Sequence, residues 1–73
     1  MDKKKAQTVD VTGIFVQYNP ERSTMKKYEI YKIFRGTDKQ LWTLELIERS
    51  ALRVAQQLAD QYGVELIVGD IKK

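Results

Sequence analysis

Apolar residues in this chain recur with two different periods, and the switch between them marks its elements. Residues 8–18, Thr-Val-Asp-Val-Thr-Gly-Ile-Phe-Val-Gln-Tyr, are rich in β-branched and aromatic side chains and alternate well enough to predict a strand, with Gly13 as a candidate bulge or bend. Asn19-Pro20 ends it. Proline lacks the ladder N–H and holds its predecessor out of the helical region, so 19–25 reads as a connecting loop. Residues 27–35 form a second alternating run, 36–40 a turn segment behind it, and the first two strands are expected to pair as a hairpin. Residues 41–47 suit either a strand or the opening turns of a helix. The alternation of Trp42, Leu44 and Leu46 with Thr43 and Glu45 selects the strand. A single helix from about Gln40 to Tyr62 would be unusually long and would carry Ser50 in its middle.

The period then changes. Ala51, Leu52, Ala55, Leu58, Ala59 and Tyr62 fall on one helical stripe, with Arg53, Gln56, Gln57 and Asp60 away from it, so 50–62 is predicted to be helical. Ser50 suits the N-cap. Gly63 is placed for the left-handed C-terminal position, with Val64 to make the accompanying apolar contact. Residues 64–68 supply a last strand. The order is β-β-β-α-β, and the fold class is α+β: a mainly antiparallel sheet with one helix packed on one face. Residues 8–73 form the single domain and residues 1–7 a flexible basic tail containing Lys3, Lys4 and Lys5.

Alternation also divides each strand into two sets, and both sets are apolar. The more apolar set is assigned to the helix side: Val9, Val11 and Phe15; Tyr28, Ile30 and Phe34; Trp42, Leu44 and Leu46; Val64, Leu66 and Val68. The complementary set contains Ile14, Val16 and Tyr18; Lys27, Glu29, Tyr31, Ile33 and Arg35; Leu41, Thr43, Glu45 and Ile47; Glu65 and Ile67. One helix shelters one side only. The other side is more apolar than a solvated face needs to be, which predicts a contact surface built from Val16, Tyr18, Tyr31, Ile33 and Arg35. The competing reading is a bulge at Gly13 that shifts the facing of the first strand, with Lys and Arg stems covering what remains.

Composition narrows the chemistry. The chain has 73 residues with no histidine and no cysteine, so disulfide frameworks, thiol nucleophiles, cysteine zinc sites and the commonest general base are all missing. Gly13, Gly36, Gly63 and Gly69 lie too far apart to cradle a phosphate, and pairs such as Glu45 with Glu48 or Glu65 with Asp70 have no cleft to face across. Neither Ser23 nor Ser50 has an evident base. No catalytic residue, cofactor or metal is expected, no run is apolar and long enough for a membrane span, and a cytoplasmic location is the default.

Net charge is +3, but it is uneven: residues 1–35 hold eight basic and four acidic side chains, net +4, and residues 36–73 hold five and six, net −1. Two partner classes follow. The first is a second copy of the chain or another protein docked on the sheet, since aromatic and arginine side chains dominate such interfaces. The alternative is nucleic acid, with bases stacked on tyrosine and phosphates met by Lys27, Lys32 and Arg35 around Tyr31, aided by the basic tail. Glu29 and Glu45 would oppose phosphate, which favours the protein partner. A small-molecule substrate is not expected.

Overall fold

Pairing of the alternating segments gives a four-stranded mixed sheet with one helix across it, seen in a computed structural model that describes residues 11–35 and 38–71. Strand β1 spans Val11–Tyr18, β2 Tyr28–Phe34 and β3 Lys39–Glu45; helix α1 spans Glu48–Tyr62 and strand β4 Glu65–Val68. The sheet order is β3-β2-β1-β4. Both hairpin pairs are antiparallel, and β4, returning through the helix, lies parallel to β1. The expected α+β architecture is therefore the observed one, with a strand rather than a helix as the third element, spanning Lys39–Glu45 instead of the expected 41–47. The tail, Thr8 and Val9 of the first segment and the Gly36-Thr37 turn lie outside the described residues.

The helix sits close because its sheet-facing stripe is small. Ala51, Ala55 and Ala59, spaced by four, are fully buried, Leu58 nearly so, and they meet Val11, Ile14, Val16, Tyr28 and Ile30. Leu52, Val54, Tyr62, Val64 and Leu66 pack around this centre. Gly63 takes φ 68° and closes the helix with paired backbone bonds: its own N–H donates to Asp60 O, and that of Val64 to Ala59 O. The start differs from expectation. The helix begins at Glu48, with Ile47 rather than Ser50 in the cap position and no side-chain cap bond, so the helix is entered three residues sooner.

The face assignment needs a larger correction. Val11 pairs with Phe34 and Gly13 with Ile33, so Thr12 is an extra residue in β1, and its hydroxyl donates to the Ile33 carbonyl at 3.3 Å. This bulge reverses the facing beyond it. Ile14 and Val16 thus point to the helix and are 0% exposed, whereas Phe15 lies on the open side. A second irregularity skips Trp42 in β3, because Ile30 pairs with Thr43 and Tyr31 with Leu41. Leu44 consequently lies opposite Glu29 on the open side, while Trp42 and Leu46 are exposed rather than core. No described helix is long and apolar enough to cross a membrane.

Candidate functional site

Register places three cross-strand rows on the face that the helix leaves open. The first reads Lys39, Ile33, Gly13, Glu65 from edge to edge; the second Leu41, Tyr31, Phe15, Ile67; the third Leu44, Glu29, Gln17. The middle row is apolar or aromatic throughout. Phe15 and Tyr31 have ring centroids 6.1 Å apart, and a Cβ placed on Gly13 would lie 3.5 Å from both Ile33 Cδ1 and Ile67 Cδ1, so these side chains form one continuous surface. Leu41 and Ile67, at its two ends, are 40% and 41% exposed. The Lys39 ammonium lies 4.5 Å from the Phe15 ring centroid and 5.5 Å from that of Tyr31, a cation held against two π faces.

One end of this surface is fixed by a buried carboxylate. Glu29 is 1% exposed, and four donors surround it: Gln17 Nε2 at 2.7 Å and the Tyr31 hydroxyl at 2.9 Å on Oε1, Asn19 Nδ2 at 3.1 Å and Arg22 Nη1 at 2.5 Å on Oε2. The loop after β1 delivers two of them. Asn19-Pro20-Glu21-Arg22 is a tight turn in which the Arg22 N–H donates to Asn19 O, the Glu21 N–H donates to Asn19 Oδ1, and proline presets the second position. Lys27 Nζ braces the same loop by donating to the carbonyls of Arg22 and Thr24.

Burial alone would raise the Glu29 pKa, but the hydrogen bonds from Gln17, Arg22, Asn19 and Tyr31 outweigh it and hold the group at about 2. Burial, and then the adjacent carboxylate, push the Tyr31 hydroxyl above its ordinary value. Every lone-pair direction of Glu29 is used within the chain, so this cluster fastens the loop to the sheet and offers no open position to a ligand. Among the described residues there is no group of three or more acidic, histidine or cysteine side chains that could hold a metal ion.

The structure separates the residues that the sequence grouped. Of the five assigned to the contact surface, Tyr31 and Ile33 are on the open face. Val16 is in the core and Tyr18 packs beside it, its ring 4.9 Å from Tyr28, because the Thr12 bulge turns them toward the helix. Arg35 lies beyond the end of β2, where it has an interaction of its own. The four residues grouped for nucleic acid are dispersed as well. Lys27 is engaged in the loop, and Lys32, one residue from Tyr31, projects to the opposite face, with Nζ 4.1 Å from the Trp42 ring centroid and 5.2 Å from that of Tyr62. Strand alternation forbids Tyr31 and Lys32 from sharing a face.

Phe15, Lys39 and the Glu29 cluster did not emerge from the sequence. The signal for Phe15 was Gly13, a residue type that favours bulges within a strand. The chain matches no protein-family model, no curated protein and no solved structure, so the open face is interpreted from its own residues.

Proposed function

We propose that this chain is a non-catalytic interaction module that docks a protein surface on its open sheet face. One observation carries the reading: the row Leu41, Tyr31, Phe15, Ile67 crosses all four strands without a charged or small polar side chain, on the side away from the helix, with its two ends exposed and the Lys39 side chain lying over the rings between them. Burying one such side chain fully is worth about 1.5–3 kcal/mol, so a partner that excludes water from several gains a useful driving force even when part of the area is already covered. The rim is suited to this role, because Lys39 and Glu65 flank the row at the two sheet edges while the Glu29 carboxylate is already satisfied. Nucleic acid draws less support, since Lys27 is engaged in its own loop and Lys32 projects from the opposite face, which leaves Lys39 as the cation beside Tyr31 rather than a track of basic groups.

The test is site-directed photo-cross-linking of the full chain in cells. A diazirine-bearing residue replaces Leu41 or Ile67 on the open face, and Gln57 on the outer side of the helix as the control. We expect a discrete protein adduct from the first two positions, suppressed when Ile33→Glu is added, and none from Gln57. No adduct, or equal labelling at all three positions, would refute docking on this face.

A further inference from the structure

We infer that the occupant of the open face is a second copy of this chain, laid sheet to sheet about a twofold axis running along the strands, so that Lys39 of each copy lies over the partner's Glu65. This rests on the docking reading above and adds the identity and orientation of the partner.

Charge is distributed unevenly across one row of the open face. Lys39, Ile33, Gly13 and Glu65 occupy successive strands in the order β3-β2-β1-β4, so the row is basic at one sheet edge and acidic at the other. A twofold axis along the strands exchanges the two edges and keeps each row above itself. It therefore sets the basic edge of one copy on the acidic edge of the other, twice by symmetry, and the apolar row on its own equivalent. A twofold axis across the strands reverses the rows instead, placing β3 on β3 and the Lys39 row over the Glu29 row, with no opposite charges brought together. Only the first arrangement is self-complementary.

The dimensions agree. Facing sheets pack about 10 Å apart with strands within about 30° of each other, a gap that extended lysine and glutamate stems bridge together. Both end residues are exposed, and Glu65 has no side-chain partner among the described residues. The Lys39 ammonium rests over Phe15 and Tyr31 in the single chain, and its flexible stem lets it swing to the rim as the second sheet arrives. Burial strands no charge at Glu29, whose oxygens are already saturated and dry.

The experiment is analytical ultracentrifugation of the purified full chain over a wide concentration range, with circular dichroism to confirm folding of each variant. Wild type should sediment as a dimer. Lys39→Glu and Glu65→Lys should each raise the dimer dissociation constant about tenfold, and the double exchange should return it to within about threefold of wild type. Ile67→Glu, at an exposed position, should give a folded monomer. A wild-type monomer at every concentration overturns the inference, as does a dimer indifferent to the charge exchanges and to Ile67→Glu. If the chain is monomeric while position 67 still cross-links to a different protein, the second-copy inference fails and docking stands. If it is monomeric and no adduct forms, both fall.

Discussion

Acidification should remove a calculable part of the stability through a single side chain. Glu29 is folded with a pKa of about 2 against an ordinary value of 4.5, because four donors stabilise its charged form by more than burial penalises it. The folded value is depressed. Its contribution is therefore fully present above the unfolded value and is lost as pH falls from about 4.5 through about 2. At about 1.4 kcal/mol per tenfold difference in proton affinity, the loss is about 3 kcal/mol. A domain of 73 residues has a total stability of about 4–11 kcal/mol, so this one carboxylate can decide whether the fold survives acid. Urea denaturation followed by circular dichroism at intervals from pH 7 to pH 2 measures it, with Glu29→Gln as the reference. The variant should be weaker at pH 7, since its amide NH₂ confronts donors, and its stability should fall by about 3 kcal/mol less across the acid range. Parallel curves for the two proteins would refute the account, as would a carbon-13 carboxyl titration placing Glu29 near 4.5.

Other substitutions probe separate features. Tyr28→Phe should be neutral or stabilise by about 1 kcal/mol in thermal unfolding, because the buried hydroxyl has no hydrogen-bond partner and its removal relieves a desolvated group; a loss of 2 kcal/mol would show an essential role. Ile47→Asp should stabilise by about 1 kcal/mol, supplying the missing N-cap bond at a position already half exposed; an unchanged melting temperature would contradict it. Gly63→Ala should cost about 1 kcal/mol in denaturant unfolding, because φ is 68° there although nothing lies near the added Cβ. Gly69→Ala should displace the Phe15 ring, whose Cζ would lie 2.5 Å from the new Cβ, and the altered shifts should spread to Tyr31 in an NMR comparison while Leu58 at the helix core is unmoved.

Element order was legible because the apolar period changes cleanly from two to 3.6 at the helix, and because Gly63 and Pro20 stop their segments by backbone chemistry that needs no tertiary context. Facing was not. In β1 both alternate sets, Val11-Gly13-Phe15 and Ile14-Val16-Tyr18, are apolar, so alternation offers no preference, and one inserted residue at Thr12 decides which set reaches the helix. The Trp42 irregularity does the same in β3. Tyr31 and Ile33 could be placed on the open face from the sequence because β2 stays regular against β1 from Ile33 to Tyr28. The Glu29 cluster was out of reach for a different reason: its donors come from a strand, a turn and a neighbouring position, and only the folded turn at Pro20 brings Asn19 and Arg22 back over the sheet.

The parallel neighbour of β1 is made after the other three strands of the sheet. Until residues 65–68 emerge, an inner strand at the heart of the sheet has one bare side, a template on which any nascent chain could add itself. A product terminated shortly after Tyr62 would keep that exposed edge permanently, so premature termination or C-terminal clipping should turn this molecule from a tidy fold into an aggregating one.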